Sequence, residues 1–201
     1  MLSPLLALLL LTASTPQGVD ELRQLPTPEE RATALEARLA VAPEPEIPGL
    51  LQLGFEEFLA AAEAYRADLA VPLAEAMHAR ARAPWSAMSL ALISRRAGRS
   101  ERELAVLEEA LEAAEDPVTR RDLLVSLGHA RLVAGATEPG LSALGSAFCR
   151  GSSNAGVVLG RMALREGRPR QARAIFRTLL RDDPPPSWAL RGWGLSLLPQ
   201  R

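Results

Sequence analysis

Residues 159–184, LGRMALREGRPRQARAIFRTLLRDDP, read as two short helices folded on a glycine turn. The markers of this stretch recur along the chain, and the recurrence decides the fold. Leu127 and Gly128 precede Leu159 and Gly160 by 32 residues, and Trp193 and Gly194 follow 34 residues further on. In LGHARLVAG and LGRMALREG a second glycine, Gly135 or Gly167, comes seven residues after the first. Leu144 and Ala147 follow in one unit, Phe176 and Leu179 in the next. Upstream, Leu90, Ala91, Gly98, Leu107 and Ala110 fall at matching offsets. A fixed period of roughly 20–50 residues marks a stacked array, because one such unit cannot bury its own apolar face.

The pattern resembles the tetratricopeptide repeat, a helix-turn-helix unit of about 34 residues. The clearest unit, 153–186, has Leu159, Gly160, Ala163, Gly167, Ala172, Phe176, Leu179 and Pro184 where that family places its signature residues. Gly160 and Ala163 let the first helix lie close to its partner. Gly167 suits a tight turn. Ala172 removes bulk at the crossing, Phe176 fills the space between helices, and Pro184 stops the second helix. Two poorer units occupy 84–117 and 121–152. There the crossing alanine is replaced by Glu103 and by Gly140. The resemblance implies an all-α fold, a right-handed superhelical array of antiparallel helix pairs closed by a capping helix over 187–198. Residues 19–83 are expected to be an N-terminal helical region, in which 51–83 is a candidate degenerate unit.

Members of this family generally bind peptides or protein helices in a groove lined by first helices. Carried to matching positions, the resemblance implies a groove of Trp85, Met88, Leu92, Arg95 and Arg96 from one unit. Asp122, Val125, His129 and Leu132 come from the next, and Asn154, Val157, Arg161 and Arg165 from the third. Trp188 and Arg191 come from the cap. Arginines mixed with large apolar groups suit an acidic, partly hydrophobic peptide. The basic and Asn positions of the family's clamp for C-terminal carboxylates match only in scattered form.

The composition agrees with helices. Ala, Leu, Glu and Arg dominate, aromatics make up 4%, and only three isoleucines occur. The favoured residues lose little side-chain freedom in a helix. All 23 cations are arginine. The net charge of −1 hides an asymmetry: residues 1–117 hold 19 acids and 10 arginines, residues 118–201 hold 5 acids and 13 arginines. Beyond Arg161 and Arg165, a basic patch of Arg168, Arg170, Arg173, Arg177 and Arg181 crowds one repeat. It reads as a site for an anionic partner, as an ordinary solvated face, or as one half of a head-to-tail self-association.

Residues 1–18, MLSPLLALLLLTASTPQG, resemble a secretory signal peptide, with small residues after an apolar run. The run lacks a basic start and is too short for an ordinary membrane span. Export to the periplasm or the extracellular space is expected, with a hydrophobic first helix of a cytoplasmic chain as the alternative. Further on, Thr27, Pro28 and Glu30 form a helix start with a capping box. Residues 41–49, VAPEPEIPG, read as a loop. Leu51, Phe55, Phe58, Ala62 and Tyr65 share the apolar face of the next helix, and 68–82 hold another with Pro72 in its first turn and Met77 inward.

No catalytic constellation is expected. The two histidines, His78 and His129, do not pair by local spacing, and no phosphate-binding or nucleophile-elbow motif occurs. His129 in the groove would be the place for such chemistry, but it reads first as a packed helix residue. Cys149 is expected to be a small buried side chain, and its solitude excludes an intramolecular disulfide. CRGSSNAG, 149–156, reads as an anion-binding turn or as a loop in which Ser152, Ser153 or Asn154 caps a helix. No metal and no cofactor are expected. The partner is expected to be a protein or peptide; nucleic acid is disfavoured by the leader and by the lack of interleaved aromatics.

Overall fold

In a computed structural model, residues 19–181 and 187–197 are described, and they form helices joined by short turns. In chain order these are α1 (Val19–Arg23), α2 (Pro28–Val41), a 3-10 turn (Glu44–Glu46), α3 (Ile47–Glu63), α4 (Ala67–Ala81), α5 (Pro84–Arg96), α6 (Ser100–Ala113), α7 (Pro117–Val133), α8 (Thr137–Cys149), α9 (Ser153–Arg165), α10 (Pro169–Leu179) and α11 (Ser187–Leu197). No strand occurs among the described residues, so the chain is all-α. The proposed leader, Pro184 and the side chain of Trp188 lie outside the described residues.

The chain divides within α6 into two compact units, Met1–Glu103 and Leu104–Arg201. In the first, α2, α3, α4 and α5 pack in succession around Leu35, Leu39, Leu50, Leu53, Phe58, Leu73, Met77 and Leu90. In the second, α7 packs on α8, α8 on α9, α9 on α10 and α10 on α11. Each link is a hairpin of neighbouring helices.

Gly151 and the Ser152 N–H bond to the Ala147 carbonyl, at 3.0 Å, repeat in the α8–α9 turn a geometry that four other hairpins share. In each of those four, an N–H closes a bond of 2.8 Å onto the carbonyl five residues earlier: Arg66 to Ala61, Arg99 to Ser94, Ala136 to Arg131, and Arg168 to Ala163. The preceding residue takes the left-handed conformation, as this helix ending requires. It is Gly98, Gly135 and Gly167 in three turns, and Tyr65, with φ of 57°, in the first. The hairpin of α3 and α4 therefore carries the same turn as the later three, with a tyrosine where they place glycine.

Where paired helices cross, the sequence uses three different solutions. Ala172 is fully buried. Gly128 and Gly140 bring the α7 and α8 backbones together; a Cβ on Gly140 would lie 3.0 Å from the Gly128 carbonyl oxygen. Glu103 is buried and takes Arg95 Nε from the preceding helix at 2.7 Å. A charge at a buried crossing is tolerated only when it is paired in this way.

Several local expectations are corrected. Thr27 does cap α2, accepting from Glu30 N at 3.2 Å, but Glu30 Oε2 is buried with no partner. Within 41–49, α3 already begins at Ile47, because a proline at the second helical position removes an N–H that has no partner there anyway. The buried stripe of α3 runs through Leu50, Leu53, Gly54, Phe58 and Ala62, leaving Phe55 and Tyr65 exposed. Pro72 lies inside α4 rather than in its first turn. Cys149 is exposed, because it sits about 200° around α8 from the buried Ala147.

Candidate functional site

The expected groove residues fall in two separate units. In the first unit, Trp85 is 38% exposed on α5 and Met88 is half-buried beside it. Trp85 meets Phe55 of α3 edge-on, with ring centroids 5.9 Å apart, and Phe55 stacks on Phe58 at 6.1 Å. Pro48, Leu51, Gln52, Phe55 and Trp85 together line a shallow apolar hollow. The sequence reading placed Leu51 and Phe55 in a core face, so it missed this hollow. Its signal was the excess of apolar residues on α3 over what one buried stripe needs. Leu92 is exposed on the same helix. Arg95 is committed to Glu103, and Arg96 Nη1 donates to the Ala62 carbonyl at 3.2 Å, so neither is a free cation.

In the second unit, α7 carries Asp122, Val125 and His129, α9 carries Asn154, Val157, Arg161 and Arg165, and α11 carries Arg191. Asp122 is exposed and accepts from Arg121 Nε at 2.9 Å. Val125, His129, Leu132 and Val157 are half-buried, whereas Asn154, Arg161, Arg165 and Arg191 are exposed. On α9 the stripe follows steps of three and four residues, so one helix face presents an amide, a valine and two guanidinium groups. Ser152 caps this helix, accepting from Ala155 N at 3.2 Å, which settles CRGSSNAG as a capped loop.

The basic patch splits by role. Arg173 Nη2 donates to the Ser196 carbonyl of α11 at 2.9 Å. Arg177 lies over the Trp193 ring, 5.4 Å from its centroid. Arg168 pairs with Glu166 at 3.2 Å. Arg161, Arg165, Arg170, Arg181 and Arg191 are exposed and form no ion pair among the described residues. Arg168, Arg173 and Arg177 thus have partners within the fold, and the other five face solvent.

His78 Nδ1 lies 3.1 Å from Ser86 Oγ, which itself donates to the Ala83 carbonyl at 2.7 Å. Ser86 is buried, so the pair ties α4 to α5. Among the described residues no group of three or more His, Cys, Asp or Glu could hold a metal ion. No described helix is long and apolar enough to cross a membrane. Four carboxyl groups depart clearly from ordinary behaviour, all away from the groove: a backbone hydrogen bond holds Glu29 down, the Arg66 guanidinium holds Asp68 down, and Glu36 and Asp116 shift in opposite directions. Burial, reinforced by the charge of Glu75, pushes the Glu36 carboxyl up. The Thr119 N–H holds the Asp116 carboxyl down, as an N-cap does.

No protein-family model matches this chain, and no curated protein matches it.

Proposed function

We propose that the protein is a non-catalytic scaffold of the tetratricopeptide type, which binds another protein through the exposed faces of its first helices. The observation that carries this reading is the α9 stripe. Asn154, Val157, Arg161 and Arg165 lie on one face of a helix whose other faces are occupied by α8 and α10. One turn geometry, shared by four hairpins and the α8–α9 junction, supports reading the chain as an array of helix pairs. The leader sends the chain to the cell envelope. A photo-crosslinking residue at Asn154 or Arg161, compared with one at exposed Thr178 on α10, tests the function in native envelope extract. A discrete adduct from the α9 sites alone is the expected result. No adduct, or equal labelling from Thr178, rejects the reading.

The five unpaired arginines favour a second reading, capture of an anionic polymer. Retention on an anionic matrix would then fall steeply with salt, because neutralised charges release counterions. Salt-independent retention eliminates it.

A further inference from the structure

The helices α9 and α11 stand in the same relation to their preceding partners. Ala155 and Val158 of α9 pack in the cluster that contains Leu144, Ala147 and Phe148 of α8. Thirty-four residues later, Ala189 and Gly192 of α11 pack on Phe176 of α10. The adjacent stripe of α9 is Gly156, Gly160 and Ala163, and it receives the helix's own partner, α10. A Cβ on Gly156 would lie 2.7 Å from Phe148 of α8 and 3.0 Å from Leu179 of α10, and one on Gly160 would lie 2.6 Å from Phe176. In α7 the same role falls to Gly128, where a Cβ would lie 2.6 Å from Leu144 of α8.

The matching stripe of α11 is Leu190, Gly194 and Leu197. It receives nothing among the described residues. A Cβ on Gly194 would meet open space, and Leu190 and Leu197 are 52% and 54% exposed. An uncovered face in a stacked array is ordinarily polar. This one presents leucines seven residues apart with a glycine between them. Gly194 stands where Gly128 and Gly160 admit a side chain of the following helix, and here leucines flank it.

Charge selects the kind of helix. Residues 153–201 hold nine arginines against one glutamate and two aspartates. A second copy docking through the same face would bring like charge against like charge. We propose that the Leu190, Gly194 and Leu197 face of α11 docks an acidic amphipathic helix of a partner protein. That helix pairs with α11 as α10 pairs with α9, with a large apolar side chain over Gly194 as Phe176 lies over Gly160. The site is separate from the α9 stripe and does not depend on it.

A fluorescein-labelled 16-residue synthetic helix tests this by anisotropy with the full chain. One face carries Phe and Leu at spacings of three and four, and the remainder is rich in Glu. Binding at least tenfold tighter than a scrambled peptide, or than the same helix with Lys for Glu, is expected. Leu190→Asp/Leu197→Asp and, separately, Gly194→Leu should each weaken it at least tenfold. Gly194→Leu changes only a position open to solvent, so it retains the folded signal in circular dichroism. Thr178→Ala, on the exposed face of α10, should leave the peptide affinity unchanged. Equal binding of the scrambled or basic peptide overturns the proposal, as does undiminished binding by Gly194→Leu. Sedimentation of the protein alone as a dimer that the acidic helix does not disperse assigns the face to a second copy, and also overturns it.

Discussion

Phe176→Ala probes the tightest contact in the second unit. The ring is 1% exposed and lies between two glycines on different helices. A Cβ on Gly160 would sit 2.6 Å from its Cζ, and one on Gly192 would sit 2.5 Å from the same atom. Both distances are far inside ordinary contact, so the glycines exist to admit the ring. Removing it should cost roughly 3–5 kcal/mol, the range for buried phenylalanines. For a chain of this length that lowers the melting temperature by roughly 6–20 °C. Gly160→Ala alone should cost about 1–3 kcal/mol, because the new methyl collides with the ring. The decisive comparison is the double variant. With the ring gone, the methyl at 160 enters vacated space, so the pair should cost no more than Phe176→Ala alone. Thermal and urea unfolding followed by circular dichroism measure all three. A loss below about 1 kcal/mol for Phe176→Ala, or additivity of the two changes within about 0.5 kcal/mol, refutes the packing argument.

Tyr65→Gly should stabilise the chain by about 1 kcal/mol, because a side chain that is 88% exposed holds a left-handed turn better made by glycine; an unchanged or lower urea midpoint contradicts this. Arg95→Met should cost about 3–5 kcal/mol by stranding the carboxylate of Glu103 in the interior. Glu103→Ala should cost less, since Arg95 is 36% exposed and can turn to water; the reverse order in urea titrations defeats the reasoning. Glu36→Gln should raise stability at neutral pH. Its folded carboxyl is pushed up, so its contribution is full below the unfolded carboxylate range and is lost as pH rises through the folded value. The benefit should therefore vanish in acid, and a gain equal at pH 3 and pH 7 rules this out. Asp116 behaves oppositely. Its folded carboxyl is held down, so the cap contributes above the unfolded carboxylate range and is lost as pH falls, and the melting difference between wild type and Asp116→Ala should shrink in acid.

Much of the architecture was legible because it depends on small residues at fixed intervals. Gly128, Gly160 and Gly194 mark first helices, and Gly135 and Gly167 mark turns with positive φ. Thr27 and Ser152 were legible as caps for the same local reason. The errors arose where local chemistry leaves two answers open. Helix α3 is apolar on more than one face, with Leu50, Leu51, Leu53, Phe55, Phe58 and Leu59 close together. Helical spacing selects a stripe, and here two stripes satisfy it. The partner helices decide between them, and those contacts are remote in sequence. Phe55 therefore moved from the expected core to an exposed hollow with Trp85. Glu103 is the converse case. The register places it at a helix crossing, where composition would not put a carboxylate, and it is buried there because Arg95 arrives from the other helix of its pair.

The arginines of 159–181 carry the same lesson into function. Counted along the sequence they form one patch; in space they do two jobs. Arg173 and Arg177 grip α11 through the Ser196 carbonyl and the Trp193 ring, whereas Arg161 and Arg165 project from α9 without an ion pair among the described residues. Substituting the two sets should therefore separate two observables. Arg161→Ala/Arg165→Ala should leave thermal stability within about 0.5 kcal/mol of wild type, as exposed positions do, and should weaken binding of acidic ligands. Arg173→Ala/Arg177→Ala should instead loosen α11, shifting Trp193 fluorescence to longer wavelength and lowering the melting temperature. It should also weaken the acidic helix that docks on α11, because the docking face exists only while α11 is held in place. If the two double variants shift stability and binding alike, the arginines act as one undivided patch and the division of roles fails.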